Sequence, residues 1–550
     1  MSSLFFNKSK AVADDFMQSV VFLDDRVYQR NGNEQDAIHD LDAFELTKTF
    51  AAKKKICAVY DPQSKSDIEN FKTIASKADV VVLDWFIEIE ENDAVVENLE
   101  EDDEADAEDQ TVRGTYTKEI IENIVKINND GLKVVLVYTG ETDLEGIATE
   151  IHNTIPASTL DTVNCQVDYK KIKILVRAKS NNEDGEDNRF THIPHLRDKV
   201  IKYEELPEFL LSEFTKLTEG LLSNFALKSL STLRANTSKI LGLYNKKLDH
   251  AYLEHKSAIP STEDAEHLII EIFKDSIGDL LHYKQVQNQI SKGIVKSWMN
   301  DKIDKVTLSF KKKDGTEYTP EATFTRDKEL LLSLLYSEEQ DVQKKYIDIF
   351  TPLASKGKAE EFVKHLKLNN IELFINPSDL PNKAELISEF AKLTHHKNVF
   401  LPVGSKPILT LGTVLKSKLT GNYLICIQQK CDSVRILSGE QRKFLFLPLE
   451  AVTTGNFNFI THDNVKLKLG KKSYGIRTLK FAGAKDGVVK AVLLNGKFIF
   501  KQIYANKTDE KFEWVLDLKD LHSQRIVADY AATLSRVGLD ESEWLRRSLG

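Results

Sequence analysis

The chain has 550 residues, too many for one hydrophobic core, and its length fits three or four domains of about 100–200 residues each. Apolar residues make up 41% and charged residues 29%, an ordinary globular composition that excludes collagen-like, mucin-like and wholly disordered chains. The formal net charge of −10 averages two unlike regions. Residues 88–109 contain 13 acidic side chains and no basic one, whereas residues 401–550 carry 24 Lys and Arg against 14 Asp and Glu.

The sequence has no feature typical of a membrane or secreted protein. No stretch approaches the roughly 18 consecutive apolar residues of a membrane helix. The opening segment has only a three-residue apolar cluster before its charges, unlike a secretory signal. The four cysteines, Cys57, Cys165, Cys426 and Cys431, are too few for a disulfide framework. We therefore expect a reduced, cytoplasmic protein.

Residues 1–200 alternate short β-branched runs with helical patterns. The runs are near-continuous apolar stretches bounded by charge, which is typical of strands covered on both faces of a parallel sheet. They cover residues 19–25, 54–61, 78–85, 131–140 and 171–179. The helical patterns cover residues 36–53, 65–77, 117–130 and 142–153. The alternation predicts an α/β domain with a doubly wound, five-stranded parallel sheet, interrupted by an acidic insertion at 87–113.

The remaining 350 residues are predicted to form three further regions. Residues 201–300 place apolar side chains at three- and four-residue spacing, which predicts a helical extension. Residues 301–400 are predicted to be mixed, with a hairpin around Asp314-Gly315 followed by helices at about 327–337, 338–350, 357–367 and 382–395. Residues 401–550 predict a β-rich, basic domain with a final helix at 517–537.

Polar side chains stand where the strands of the first domain end. Asp24 and Asp25 follow the first strand, Asp84 the third, Thr139 the fourth and Lys179 the fifth. Because the carboxyl ends of parallel strands meet at one edge of a sheet, we expect all five to converge. Two acids would hold a hard divalent cation such as Mg²⁺. The third carboxylate would touch the metal and attack phosphorus, while the hydroxyl and the ammonium neutralise transition-state charge.

In these residues the chain resembles the response-regulator receiver domain, whose fold is flavodoxin-like. The resemblance carries over position by position. It makes Asp24 and Asp25 the acid pair, Asp84 the phosphoacceptor, Thr139 the switch hydroxyl and Lys179 the invariant lysine. It also implies that the backbone carbonyl of Phe86, two residues past the acceptor, is a further metal ligand.

The closer resemblance is to a divergent bacterial receiver family that carries a helical extension. It rests on LDW around Asp84, YTGETDLEGI after the fourth strand, AKS around Lys179, and the helical stretches ELPEFLLSEFTKLTEGLLSNFALKSLSTLRANTSKIL and KLDHAYLEHKSAIPSTEDAEHLI, covering about residues 17–275. Such proteins look like components of bacterial anti-phage systems, with a histidine-kinase or GHKL-type ATPase protein as the usual neighbour. The resemblance thus implies Mg²⁺ as cofactor and such a protein as partner.

The chain departs from the ordinary receiver pattern near the fifth strand. Val176 stands where receivers often carry a switch aromatic, and Ser180 stands where many have a proline. The segment between Thr139 and Lys179 is also unusually long. Output is therefore expected to run through the helical extension.

The two charged regions each allow more than one interpretation. The acidic insertion has the composition of a solvated, disordered segment, but it could also dock on a basic surface or act as a charged lid. Residues 464–501 contain ten Lys or Arg and one Asp. Solvated edge strands carry such lysines, whereas nucleic-acid binding needs clustered cations near aromatic side chains. The basic surface would consist of Lys466, Lys468, Lys471, Lys472, Arg477 and Lys480.

The sequence as a whole predicts a regulatory phosphoprotein and no enzyme beyond receiver self-phosphorylation and dephosphorylation. No P-loop, nucleophile elbow or zinc-protease motif stands where it could work. Phosphorylation of Asp84 would repack the helical extension and change what residues 301–550 contact. Two alternatives stay open: a scaffold for a partner ATPase or nucleic acid, and a phosphate sink without output. The sequence leaves oligomerisation open too.

Overall fold

The computed structural model describes residues 3–28, 41–89, 113–128, 131–180, 190, 192–259, 262–304, 307–309, 323–325, 328–350, 357, 359–360, 363, 373–397, 405–453, 457–470, 475–503, 510–534 and 548. The chain divides into two compact units, Met1–Leu368 and Asn369–Gly550. This division differs from the four regions predicted above. Among the described helices, none is both long and apolar enough to cross a membrane.

The first unit alternates strands and helices before it becomes helical. Its strands are β1 (Ser19–Leu23), β2 (Val27–Tyr28), β3 (Leu41–Asp42), β4 (Ile56–Tyr60), β5 (Val80–Leu83), β6 (Lys133–Thr139), β7 (Thr159–Asp161), β8 (Gln166–Tyr169), β9 (Ile172–Lys179), β10 (Val200–Ile201), β11 (Thr307–Ser309) and β12 (Thr323–Thr325). Its helices are α1 (Leu4–Phe16), α2 (Ala43–Ala52), α3 (Lys65–Lys77), α4 (Thr115–Ile127), α5 (Leu144–Thr154), α6 (Leu206–Thr218), α7 (Leu221–Leu243), α8 (Asp249–Ala258), α9 (Thr262–Tyr283), α10 (Lys292–Lys302), α11 (Lys328–Leu335) and α12 (Val342–Phe350).

The main sheet of this unit has the strand order of a doubly wound fold. Its five parallel strands lie in the order β4-β1-β5-β6-β9, with the first strand second from the edge. Each of the five predicted strand segments contains one of them, so the predicted fold class is confirmed. The apolar runs form strands because helices cover both faces, and β5 and β6 are buried at every residue.

The sheet is larger than the five strands predicted from the sequence. The strands β7 and β8 form an antiparallel hairpin that pairs with the outer side of β9. The short strand β10 adds in parallel to the end of β9. The hairpin occupies the long segment between Thr139 and Lys179 and so gives that segment a structural role.

Helices from distant parts of the chain cover the two faces of the sheet. One face packs on α3, α4 and α5 through side chains such as Phe71, Ile124 and Ile147. The other face packs on α1, α2, α6 and α7 through side chains such as Phe50, Phe214 and Leu227. Because α6 and α7 complete this second core, the predicted boundary at residue 200 does not coincide with a packing boundary.

The first helix was not predicted from the sequence. Ser3 caps α1 by accepting a hydrogen bond from the Phe6 N–H at 3.0 Å. The helix buries Phe5, Val12 and Ala13, a spacing that places them on one face. Its partners are α6, α7 and α10, and Asn224 Nδ2 donates to Ser9 Oγ at 2.9 Å in this interface.

The later part of the first unit follows the predicted pattern. Helices α7, α8, α9 and α10 fill residues 221–302, as expected for the helical extension. The strands β11 and β12 pair antiparallel, as the strands of the predicted hairpin would. The predicted turn at Asp314-Gly315 lies outside the described residues, as do most of the predicted helix 357–367 and residues 90–112 of the acidic insertion.

The second unit is built on a nine-stranded antiparallel sheet. Its strands are β13 (Thr413–Ser417), β14 (Tyr423–Cys426), β15 (Gln441–Val452), β16 (Phe459–Ile460), β17 (Lys466–Leu469), β18 (Arg477–Ala482), β19 (Val492–Leu494), β20 (Lys497–Lys501) and β21 (Lys511–Asp517). Helices α13 (Lys383–His395) and α14 (Asp520–Leu534) belong to this unit. The sheet has a core on each face, one around Phe481 and one around Leu447. A β-rich C-terminal region is thereby confirmed.

Candidate functional site

The strand ends of the first unit bring the predicted polar residues to one edge of the sheet. Asp24 directly follows β1 and Asp84 directly follows β5, while Thr139 and Lys179 are the last residues of β6 and β9. The Asp24 N–H donates to the Tyr60 carbonyl at 3.1 Å, and the Asp84 N–H donates to the Leu23 carbonyl at 2.9 Å. These hydrogen bonds continue the strand pairing past the last residues of β1 and β5 and so fix where both carboxylates lie.

A buried lysine links two of the carboxylates. Lys179 Nζ lies 2.6 Å from Asp24 Oδ2 and 3.3 Å from Asp84 Oδ1. All three side chains are almost completely removed from solvent. Buried charges persist only when they are paired, and this ammonium neutralises one of the two carboxylates it contacts.

Asp25 adds a third carboxylate. Asp24, Asp25 and Asp84 each offer an oxygen, and these atoms lie within 4.8 Å of one another. Asp25 is only partly buried, and its Oδ2 accepts a hydrogen bond from the Glu88 N–H at 2.8 Å. The cluster therefore carries three acidic groups against one ammonium.

The pKa values reflect this excess of acid in a buried site. Burial raises the pKa of Asp84 to about 7, opposed by Lys179 and assisted by repulsion from Asp24 and Asp25. Burial also raises the pKa of Asp25, opposed by the Glu88 N–H. For Lys179, burial alone would lower the pKa, but attraction to Asp84 and Asp24 outweighs it and the pKa is raised.

The donor set fits a hard divalent cation. Asp25 Oδ1 and Asp84 Oδ1 are buried and accept no hydrogen bond from any described residue. Asp84 Oδ1 also lies 3.3 Å from the Lys179 ammonium. Carboxylate oxygens at close range are what Mg²⁺ binds in proteins, and a dication would balance the acid excess. Phe86 lies two residues after Asp84, and the role of its carbonyl as a ligand stays a prediction.

Two hydroxyl groups lie at the same edge. Thr139 is fully buried, and its Oγ1 accepts a hydrogen bond from the Glu141 N–H at 3.2 Å. Thr117, on α4, donates from Oγ1 to the Asp84 carbonyl at 2.5 Å. Thr117 was not predicted from the sequence, because nothing in the neighbouring residues distinguishes a threonine that anchors a loop from one that only begins a helix.

The segment after Asp84 is held by aromatic contacts. The ring of Phe86 lies between two guanidinium groups, 5.8 Å from Arg26 and 5.7 Å from Arg113. Trp85 is buried against Gly114, whose φ of +71° suits glycine, and a side chain there would collide with the indole ring. The two ends of the acidic insertion are therefore fixed beside the carboxylate cluster.

The strand β10 contacts the site from the side of the helical region. In the parallel pairing of β9 and β10, Ile201 stands opposite Lys179. The Ile201 carbonyl also accepts a hydrogen bond from the buried Tyr138 hydroxyl at 2.6 Å, and Tyr138 directly precedes Thr139. Two residues further on, Tyr203 packs edge to face on Tyr138. Helix α6 begins only three residues later.

The predicted basic surface lies in the second unit. Lys466 and Lys468 are on β17, while Arg477 and Lys480 are on β18, and both strands pair with β15. Apart from the half-buried Lys466, the described cations are exposed. They alternate with buried residues such as Leu467 and Phe481, which belong to different cores of the sheet. Lys471 and Lys472 lie outside the described residues.

A doubly wound sheet that carries three carboxylates, a hydroxyl and a buried lysine at its carboxyl edge defines a receiver-type signalling domain. Comparison with known families agrees: residues 16–184 match the family model of the response receiver domain. This part of the chain is a divergent response-regulator receiver domain and supports a role in phosphorelay signalling. Searches of curated proteins and of solved structures gave no match to the chain.

Proposed function

We propose that Asp84 accepts a phosphoryl group and that the helices following the receiver domain respond to it. The observation that carries the proposal is the buried cluster in which Lys179 Nζ lies 2.6 Å from Asp24 and 3.3 Å from Asp84. A lysine buried solely for stability would need one acid, and the cluster holds three. Two carboxylates are therefore in excess of the charge that Lys179 neutralises, and we assign Asp84 as the nucleophile.

The chemistry follows from the positions of these groups. A carboxylate oxygen of Asp84 attacks phosphorus, the bond from phosphorus to the donor's leaving group breaks, and an acyl phosphate forms on Asp84. Lys179, already protonated and already in contact with Asp84, offsets the negative charge of the transferred oxygens. The Thr139 hydroxyl, at the end of the adjacent strand, donates a hydrogen bond to one of those oxygens.

Asp24, Asp25 and Asp84 would hold Mg²⁺, with the Phe86 carbonyl as the fourth protein ligand. The metal, when bound, supplies positive charge at the developing phosphoryl oxygens. Two buried oxygens that accept no hydrogen bond from the described residues, Asp25 Oδ1 and Asp84 Oδ1, support this assignment.

The output route runs through β10. Engagement of Thr139 and Lys179 by a phosphoryl group changes the two strand ends that β10 contacts, one through the pairing of Ile201 with Lys179 and one through Tyr138. Helix α6 follows on the same chain and packs on the sheet. A rearrangement at the strand ends is thereby passed to the helical region without the aromatic switch that Val176 replaces.

This route favours a switch over a phosphate sink, because a sink needs no mechanical link between the acceptor and the rest of the chain. In line with the resemblance noted above, we assign the protein to a cytoplasmic, defence-associated phosphorelay. Its phosphodonor would be a histidine-kinase or GHKL-type ATPase protein. A scaffold that only binds such an ATPase or nucleic acid is distinguished by the experiment below.

The test is covalent labelling of the full chain with acetyl phosphate and Mg²⁺, read by intact mass. Wild type is expected to gain one phosphoryl group that hydroxylamine removes, and Asp84→Asn is expected to gain none. Asp61→Asn is the matched control, because Asp61 follows the neighbouring strand β4 but lies outside the carboxylate cluster. Labelling that persists in Asp84→Asn, or that disappears equally in Asp61→Asn, would overturn the proposal.

A further inference from the structure

The far end of the helical region exposes apolar side chains that a stable helix normally buries. Among the described side chains of α9, only Ala265 is buried. Six of the apolar side chains on α7, α8 and α9 that are between 37% and 70% exposed define what we call the distal helical patch. The patch consists of Leu241, Leu253, Ile269, Ile270, Ile272 and Phe273.

The patch extends over neighbouring helices. Tyr244, one residue past α7, packs its ring 5.6 Å from that of Phe273 on α9, and its hydroxyl lies 3.3 Å from Ser276 Oγ. Lys256 on α8 forms an ion pair of 2.8 Å with Glu266 on α9. These contacts join the three helices, but they leave Ile270 56% exposed and Ile269, Ile272 and Phe273 between 37% and 43% exposed.

An uncovered surface of this kind requires a partner. Most of the stability of a helix in a protein comes from packing its apolar face, and a helix that is apolar over much of its circumference is buried in stable proteins. Exposed apolar clusters of this extent on soluble domains mark interaction surfaces.

Charge next to the patch indicates what the partner is. Helix α7 contains three basic residues and no acidic one, whereas α9 contains six acidic residues and one lysine. At the end of α7, Lys239, Lys246 and Lys247 are exposed and form no ion pair with the described residues. On α9, Asp275 and Asp279 are likewise exposed and outside any ion pair in the described chain.

These two charge groups make the surface complementary to itself. The contact between Tyr244 and Phe273 sets the cationic end of α7 and the acids of α9 at the same level of the helix pair. A two-fold interface brings each patch against its own copy, so it requires opposite charges on either side of an apolar centre. The lysines at the end of α7 and the acids of α9 supply the two opposite charges that such an interface needs.

We propose that a second copy of this chain covers the distal helical patch, giving a two-fold symmetric dimer. Helices α7 and α9 of each copy pack against those of the other as a four-helix arrangement. The basic end of α7 in one copy faces the acidic side of α9 in the other. The apolar centre supplies the affinity, and the charges fix the orientation.

The first test is the molar mass of the full chain by sedimentation equilibrium, without any phosphodonor. Wild type is expected at twice the 62.5 kDa of one chain. Ile270→Asp buries two carboxylates in the centre of the interface and should weaken association by at least about 100-fold. Val163→Asp is the control: Val163 is 73% exposed, lies in a turn outside the patch, and should leave the dimer intact.

The second test exchanges the charges. One variant carries Asp275→Lys and Asp279→Lys, and the other carries Lys239→Glu, Lys246→Glu and Lys247→Glu. Each alone brings like charges together in its own dimer and should be monomeric at low salt. Mixed together they restore both attractive contacts, so an equimolar mixture should form a heterodimer. Because these side chains are exposed, each variant should fold as wild type does by circular dichroism.

The proposal makes no use of Asp84, so its failure and a failure of phosphorylation are separate results. The proposed dimer would be overturned if the wild-type protein stays monomeric at about 100 μM. This holds also if a different protein is then found to bind the distal helical patch. A dimer that is equally stable in wild type and Ile270→Asp would overturn it as well, because a different surface would then form the interface. Failure of the charge-exchanged mixture to associate would contradict the proposed orientation.

Discussion

The two sheets of this protein differ in whether they bury or expose charged side chains. The parallel sheet of the first unit buries Asp24, Asp84 and Lys179 together at one edge. The antiparallel sheet of the second unit keeps its described lysines on strands β17 and β18 exposed or half-exposed and fills its interior with rings such as Phe444 and Phe481. Within the described residues, carboxylates converge as a metal-type cluster only in the first unit.

This contrast shows which observations carry functional information. Burying an ion costs several kcal/mol unless partners compensate, so a buried cluster with more acids than bases is retained for a purpose other than stability. Alternating lysines on a solvated strand cost nothing and therefore indicate little about a ligand. For this reason the buried cluster carries the proposed receiver chemistry, whereas nucleic-acid binding by the basic surface stays a prediction.

The largest effect is expected from removing the charge that holds the first cluster together. Lys179→Met leaves Asp24 and Asp84 buried without a counter-ion and should destabilise the protein by about 3–5 kcal/mol in urea unfolding with EDTA present. Lys118→Met is the control, because Lys118 pairs with Glu150 at the surface and should cost at most about 1 kcal/mol. Equal losses of unfolding free energy in the two variants would mean that the burial of these charges does not determine their contribution to stability.

An effect of similar size is expected in the second unit when a buried apolar side chain is truncated. The ring of Phe481 lies within 6.3 Å of the rings of Phe446, Phe500 and Phe512. Phe481→Ala should therefore destabilise this unit by about 3–5 kcal/mol, measured by hydrogen exchange of peptides from residues 405–534 during urea unfolding. Leu419→Ala, at a site 80% exposed, should stay within about 0.5 kcal/mol of wild type. The prediction fails if both substitutions cost the same.

A smaller effect is expected on the route from the cluster to the helices. Tyr138→Phe removes the 2.6 Å hydrogen bond to Ile201 and leaves a buried carbonyl without its donor, which should cost about 1–2 kcal/mol. Hydrogen exchange should quicken in residues 200–218 in particular. Tyr244→Phe loses only a 3.3 Å contact in a half-buried position and serves as the control. Unchanged exchange in residues 200–218 would argue against β10 as the connection.

The smallest and most gradual effect on stability is expected when the pH is lowered. Burial, assisted by the nearby positive charge of His395 and Arg525, lowers the pKa of His522 to about 4. The rings of His522 and His395 stack with centroids 4.3 Å apart. Because the folded pKa lies below the unfolded value of about 6.5, stability is complete above that value and is lost as the pH falls from about 6.5 towards 4.

Hydrogen exchange between pH 7.5 and 5 tests this expectation after correction for the intrinsic rate. Peptides from α13 and α14 should lose protection as the pH falls, and His522→Phe should reduce the loss. Helix α3, which contains no histidine, supplies a reference region in the first unit where no such change is expected. Protection of α14 that increases with acid would contradict the assignment.

Much of the receiver domain could be predicted from the sequence, because its information is local. A run such as Val80–Leu83 is apolar at each residue, and the acid that follows it stands at a strand end in any doubly wound sheet. The positions of Asp24, Asp84 and Lys179 therefore follow from strand order alone, and the structure brings them within ion-pair distance.

The parts that escaped prediction depend on contacts between distant residues. Helix α1 is short, and its buried face is explained only by α6, α7 and α10, which lie about 200 or more residues later. The hydrogen bond from Thr117 to the Asp84 carbonyl and that from Tyr138 to Ile201 likewise join separate segments. A capping serine and the spacing of Phe5, Val12 and Ala13 were the available signals for α1.

The central claim is that the buried carboxylate cluster is a working phosphoacceptor site. The most direct measurement is calorimetric titration of the full chain with beryllofluoride, a stable mimic of the phosphoryl group, in the presence and absence of Mg²⁺. The account predicts one binding site per wild-type chain that requires Mg²⁺, and none in Asp84→Asn, which should stay folded because Lys179 keeps its 2.6 Å pair with Asp24. Absence of binding in folded wild type, or equal binding in Asp84→Asn, would contradict it.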